Sequence, residues 1–274
     1  MGVDEGSEEH HCTRGQYPPG PPFCGLYTGA AEGGWHSTSR PVVFRRSDMN
    51  AKFPRIGHLS YSPGINKDDI FGTVTLPSDR HFMLSEKMDG SNVALTRDEI
   101  FARTHAHPPS HPSYDALKAL HAGIRFLIPE GHTVFCEWCW AIHSIEYDGL
   151  PNPPLFMLGV RREPDTWLSL KDREDLAKIL KISKIPAIWA GSLKSEKDLE
   201  QMVEYFMKSP PIFGPVREGI VVSCTDEFKD SDWNDLTAKW VRAGHVQTDE
   251  HWLQGPVRKQ KLAPVAQLDR VSVS

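Results

Sequence analysis

Glu86-Lys87-Met88-Asp89-Gly90-Ser91-Asn92 sets one lysine between two carboxylates, with a glycine-serine turn directly behind it. The residues leading into it, 81–87, carry Phe82, Met83 and Leu84 and read as a strand that ends at the lysine. Two readings compete. In one, Lys87 is an ion-paired residue of a solvated turn. In the other it is a covalent nucleophile, which a lysine becomes only when burial or nearby positive charge removes its proton. A K-x-D-G tetrapeptide recurs by chance, so the surrounding chain decides between them.

Downstream, 93–96 and 100–103 alternate as a strand meander, and 115–126 puts Leu117, Leu120 and Ile124 on one helical face. Strand character returns at 133–140 and 155–160. Residues 169–180 and 195–207 read as helices opened by Ser169 and Ser195, the second with Asp198 placed like a variant capping box. β-Branched residues at 217–224 and the run 237–241 supply two more strands. Upstream, residues 1–52 are rich in Gly, Pro, Ser and His and predict a disordered arm, while Lys67, Asp68 and Asp69 suggest a surface loop. Residues 53–253 are the expected folded domain. The end, 254–274, mixes Pro256 and Pro264 with Arg258, Lys259 and Lys261 and predicts a weakly ordered tail.

Composition narrows the setting. The chain has 274 residues, 39% of them hydrophobic, enough for an ordinary packed core. Its 36 acidic and 31 basic side chains give a net charge of −5, so any polyanion site must be local rather than a global basic field. Five scattered cysteines do not form a disulfide framework and suit a reducing interior, cytoplasmic or nuclear. No apolar run is long enough for a membrane span, so no membrane partner is expected.

Four further places carry polar or aromatic residues at or beside predicted strands: Glu137 in Phe135-Cys136-Glu137-Trp138, Phe156 in the run 155–160, Glu218 ahead of Gly219-Ile220-Val221, and Lys239 with Arg242 in the run 238–242. A charge inside an apolar strand is costly without a partner, so several on short strands imply a shared polar cleft. With Lys87-Met88-Asp89-Gly90 they stand in an order and spacing that resembles the covalent nucleotidyltransferase superfamily, most closely the ATP-dependent RNA ligases similar to T4 RNA ligase 2. That resemblance covers roughly 53–253. It implies an α+β fold, a nucleotidyltransferase (ATP-grasp-like adenylation) domain of antiparallel sheets with flanking helices. No C-terminal OB barrel is expected, since only about thirty residues follow Arg242.

The resemblance also implies roles. Lys87 would take AMP from ATP, and Lys239 would offset charge at the α-phosphate. Asp89, Glu137 and Glu218 would bind Mg²⁺ or Mn²⁺, with Asp89 alternatively positioning Lys87 and Glu137 alternatively accepting from the ribose hydroxyls. Glu86 and Asn92 would contact adenine and ribose, Phe156 would stack on the base, and Arg103 and Arg242 would contact AMP or an RNA 5′-phosphate. The implied activity is ATP-dependent joining of RNA ends, or of a nicked duplex containing RNA, in repair or processing. A DNA nick ligase is the runner-up, and a catalytically silent nucleic-acid-binding protein is the alternative of another class.

Other features carry less. Cys136 and Cys139 form a C-x-x-C, but no second pair has zinc spacing. His105, His107 and His111 sit in a proline-rich loop after Arg103. His143-Ser144 resembles a base and nucleophile but lacks the glycine-flanked elbow of a hydrolase. Trp233, Trp240 and Trp252 read as core, or as surfaces for stacking on RNA bases.

Overall fold

The computed structural model describes residues 52–67, 69–77, 79–103, 108–244 and 256–264. The arm expected over 1–52, apart from Lys52, lies outside the described residues, as do His105, His107 and Trp252. In chain order the elements are β1 (Gly57–His58), β2 (Phe82–Glu86), β3 (Ser91–Leu95), β4 (Ile100–Ala102), α1 (Asp115–Ile124), β5 (His132–Trp138), β6 (Leu155–Arg162), β7 (Thr166–Trp167), α2 (Leu170–Leu180), β8 (Ser183–Lys184), β9 (Ala187–Gly191), α3 (Glu196–Lys208), β10 (Gly219–Cys224), β11 (Phe228–Lys229), α4 (Trp233–Leu236) and β12 (Thr237–Val241). The fold class is α+β, as expected. One sheet runs β1-β12-β10-β2-β9 and the other β11-β7-β6-β5-β3-β4, with β8 pairing β6. Apart from β1–β12 and β6–β8, the pairings are antiparallel.

Period-2 alternation places the chemistry. On β2, Phe82 and Leu84 enter the core that also holds Leu199 and Val203 of α3, while Met83 and Ser85 face a cavity. On β10, Ile220 and Val222 join that same core and Val221 and Ser223 face the cavity. The second sheet buries Val93, Val134, Cys136 and Leu155 against Leu117 of α1 and Leu176 and Leu180 of α2. Ser169 and Ser195 cap α2 and α3 as their positions predict, accepting from the amides of Asp172 (3.2 Å) and Asp198 (3.1 Å).

Gly219 is needed where β10 meets β12. A Cβ there would overlap the Trp240 carbonyl oxygen, a backbone atom that cannot swing aside. Gly219→Ala is therefore expected to force the two strands apart at a cost of about 1–3 kcal/mol, read as a lowered midpoint in thermal unfolding.

Residues 256–264 depart from the weakly ordered tail that their composition implies. Lys259 bridges to Ala141 and Leu262 to Leu150. Between them Gln260, only 6% exposed, accepts from the Tyr147 amide (2.8 Å) and donates to the Ile145 carbonyl (2.8 Å). One amide side chain satisfies two buried backbone groups of the loop after β5, and this holds the segment in place.

Candidate functional site

The two sheets flank a cavity of about 1170 Å³, somewhat above the ~300–1,000 Å³ of common ligand pockets. Lys87, Asp89, Asn92, Arg103, Glu137, Glu218 and Lys239 all line it, so distant segments of the chain converge there. β2 ends at Glu86, and the Lys87 amide then donates to the Gly219 carbonyl (2.9 Å). Lys87 Nζ lies 2.6 Å from Glu218 Oε1, with the lysine side chain 28% exposed and the glutamate 3%. Burial alone would lower the lysine's pKa, but Glu218, Glu137 and Asp89 outweigh it and raise it. The unliganded nucleophile candidate is thus a firmly held ammonium.

Glu137 faces it from β5, opposite Asn92 of β3. Its Oε1 accepts from the Gly90 amide (3.1 Å). That contact explains the glycine of the motif, because a Cβ on Gly90 would lie 2.8 Å from the Trp138 oxygen and 2.9 Å from Cys139 Sγ. Burial, together with the charges of Glu218 and Asp89, pushes the Glu137 carboxyl up to about 7 against the opposing pull of Lys87. A carboxyl whose folded value is raised binds more protons folded than unfolded between the ordinary carboxylate range and about 7. Stability must then fall as pH rises through that window. In chelator, the thermal midpoint is expected to drop toward and through pH 7, and Glu137→Gln to flatten that part of the profile.

Asp89 is held differently. Its Oδ2 accepts from the Ser144 amide (2.8 Å), the Ser144 hydroxyl (2.8 Å) and the Ile145 amide (2.9 Å), and its own amide donates to the Tyr147 hydroxyl (2.8 Å). This carboxylate ties the nucleophile turn to the 143–147 loop, and Ser144 serves as its donor. Among the described residues, no group of three or more His, Cys, Asp or Glu is by itself placed to hold a metal ion, so a cation on any of Asp89, Glu137 and Glu218, expected to bind it directly or through its waters, would complete its shell with water or phosphate oxygens. Around Lys87 stands the Glu137–Glu218 pair. That donor set fits a hard cation that keeps several waters and takes further ligands from phosphates.

Lys239 lines the same cavity, 3.8 Å from Asp69 Oδ1, while Asp69 Oδ2 is 3.3 Å from His58 Nε2. Burial and the neighbouring charge of Lys87 lower the Lys239 pKa, with Arg103 adding to the effect. Asp69, expected as a surface residue, is thus part of the site.

Three residues expected to touch the nucleotide have protein partners of their own. The Glu86 carboxylate is buried on Arg217, its Oε1 accepting from Nε (2.9 Å), Nη2 (2.6 Å) and the Ile212 amide (2.8 Å), while Glu86 also lines the cavity. Phe156 is 1% exposed in the core, packed on Phe213 at 5.8 Å. Leu158 reaches the cavity wall instead; the β5–β6 register slips at Phe135/Cys136 and leaves it without a strand partner. Arg242 donates its amide to the Glu218 carbonyl (3.1 Å), and its side chain does not line the cavity. Tyr147, Ser144, Arg217 and Arg173 were not singled out as site residues because their roles depend on partners over fifty residues away, beyond any local pattern, or on burial alone. Cys136 and Cys139 are buried thiols whose pKa values are raised by burial.

Comparison with known proteins adds the family. Residues 80–241, more than half of the chain, match the model of the RNA ligase family. No curated protein matches the chain. Among solved structures it is similar to a Naegleria gruberi RNA ligase variant with ATP and Mn (14% identity, 60% of this chain and 50% of that one, TM-score 0.44). It is also similar to an archaeal ATP-dependent RNA ligase (13%, 65% and 48%, 0.41) and to a putative ATP-dependent DNA ligase from Aquifex aeolicus (17%, 70% and 50%, 0.40). The chain matches about half the length of each.

Proposed function

The chain belongs to the RNA ligase family, and from that premise we propose that it is an ATP-dependent ligase joining RNA 3′-hydroxyl and 5′-phosphate ends through a lysyl-AMP at Lys87. The observation that carries this reading is the Lys87–Glu218 pair at 2.6 Å inside a cavity that also holds Glu137, Lys239 and Arg103. A nucleic-acid-binding protein without catalysis has no use for a lysine so placed.

For attack, Lys87 must first lose the proton that its carboxylate neighbours stabilise. A divalent cation, Mg²⁺ or Mn²⁺, carried in on the ATP phosphates and held by Glu137 and Glu218 would take over their charge and make the neutral amine accessible. Nζ then attacks the α-phosphorus. A P–N bond forms, the bond to the bridging oxygen breaks, and pyrophosphate leaves with the electron pair. Lys239 stays cationic near the α-phosphate and offsets the charge that gathers there. Asn92 faces the ribose, and Leu158 and Val221 supply apolar walls for the base. Arg103, at the rim, suits the RNA 5′-phosphate, to which AMP next passes before the 3′-hydroxyl expels it. Asp89 contributes through position, holding the turn that aims Lys87.

The test is incubation with α-labelled ATP and Mg²⁺ or Mn²⁺, followed by denaturation. Label that survives on the protein is expected, and its absence across pH and metal would leave only the silent binder. Nicked duplexes with RNA or DNA at the 3′-hydroxyl strand then define the substrate. Sealing of all-DNA nicks at equal rate would make the protein a DNA nick ligase.

A further inference from the structure

Among the described residues two arginines are buried, and only one of these has an acid. Arg217 lies on Glu86, whereas Arg173, in the first turn of α2 and 9% exposed, has no carboxylate within ion-pair distance among the described residues. Its neighbour Glu174 is paired with Lys184 at 3.3 Å. Arg173 donates only from Nη1 to the Leu158 carbonyl (3.2 Å) and weakly from Nη2 to Met83 Sδ (4.0 Å). A guanidinium carries five donors, so most of its capacity is unused at a place where an unpartnered charge is costly. Burial draws its pKa down to about 10, offset only by Glu174 and Cys224. Arg173 also lines the nucleotide cavity.

Its location in that cavity is defined by β2. Met83, Ser85 and Lys87 follow one another on the cavity side, so Arg173, touching Met83, sits four residues from Lys87, about 13 Å at ~3.3 Å per residue. If Lys87 receives the α-phosphate, as proposed above and on which this step rests, Arg173 stands where the base of the same nucleotide ends. Arg173 meets the apolar Met83 and Leu158 there, and the cavity lining also includes Leu168 and Ile185.

We propose that Arg173 is the specificity-determining residue for the nucleobase, donating to a ring nitrogen of adenine beside its 6-amino group while the Leu158 carbonyl accepts from that amino group. The pair presents a donor next to an acceptor, which matches adenine's N–H₂ and ring-nitrogen edge. Guanine puts an oxygen where the amino group stood, facing the Leu158 carbonyl, and is rejected.

The experiment is titration calorimetry of the full chain, wild type and Arg173→Met, with ATP, GTP, 1-deaza-ATP and 7-deaza-ATP. Wild type should bind one of the two deaza analogues about tenfold more weakly than ATP, a difference of about 1.4 kcal/mol. Arg173→Met should bind ATP correspondingly weakly and no longer distinguish that analogue. Its unliganded thermal midpoint should equal or exceed wild type, since an unpartnered buried charge has become an apolar side chain; a merely structural arginine would lower it. Wild type binding both deaza analogues as tightly as ATP, or a folded variant that still discriminates, overturns the proposal. Should Arg173→Met not fold, the wild-type comparison decides alone. Discrimination without any covalent adenylate would remove the ligase reading and leave base recognition standing; adenylate without discrimination would do the reverse.

Discussion

Lys87→Ala is expected to abolish covalent AMP labelling, a loss on the order of 10³-fold or more, because the proposed step forms a bond to that nitrogen. Lys239, the other cavity lysine among the described residues, is on β12 of the same sheet, 3.8 Å from Asp69. Lys87→Arg separates chemistry from stability. Arginine keeps the positive charge beside Glu218, Glu137 and Asp89, so its thermal midpoint should stay near wild type while labelling is lost. Alanine instead leaves three carboxylates around an unbalanced centre. Glu137, already pushed up to about 7 by burial and by the other two acids, loses the opposing pull of Lys87 and rises further. The window in which stability falls with increasing pH therefore moves upward. Melting curves of the two variants in chelator between pH 5 and 9, beside labelling by α-labelled ATP, check both halves. A Lys87→Arg protein that still retained label would remove Lys87 as the AMP carrier.

The strands and helices that hold this site were legible because each shows its own periodicity. β2, β3, β5, β6, β10 and β12 fall where alternating or continuous apolar runs stand, and α2 and α3 begin at their serine caps. β9 was not legible. Ala187–Gly191 is an edge strand with a half-exposed face, so it has no alternation to read. The cost of charges in apolar strands points to a shared cleft for Lys87, Glu137, Glu218 and Lys239, and the four line one cavity. What was not legible were choices between partners. Glu86 and Glu218 look alike in sequence, each beside a strand, yet one bonds Arg217 and the other Lys87. Asp89 and Glu137 are both acids near a lysine, but only Asp89 meets a loop that offers three donors to one oxygen. Phe156 and Leu158 are both apolar on β6 and pack in one cluster, and which of them lines the cavity is not announced by any local pattern.

Arg217→Met is expected to cost about 3–5 kcal/mol, the range for breaking a buried ion pair by removing one partner. Glu86 and Arg217 are both 3% exposed at the side chain, so the orphaned carboxylate cannot reach water. The guanidinium also donates to the carbonyls of Phe206, Ser209 (3.2 Å) and Pro210 (3.0 Å), tying the end of α3 to the sheet. Replacing both partners, Glu86→Leu with Arg217→Met, should recover a large part of the loss, because no charge is then left buried alone. The functional consequence follows from position. Glu86 directly precedes Lys87 and Arg217 directly precedes Glu218, so strand alternation sets one ion pair against the core and the next on the cavity. The buried pair pins the backbone from which the reacting pair projects. At a temperature where it remains folded, Arg217→Met should therefore slow adenylylation while leaving ATP affinity near wild type, if the pair acts by holding the backbone and not by touching the nucleotide. Glu86→Gln gives the contrast. A carboxylate that bound adenine would show its loss as weaker ATP binding with Arg217 intact, whereas an anchoring carboxylate shows it as a lowered thermal midpoint. Calorimetric ATP titration beside thermal unfolding distinguishes the two, and weakened ATP binding at an unchanged midpoint would return Glu86 to the nucleotide site.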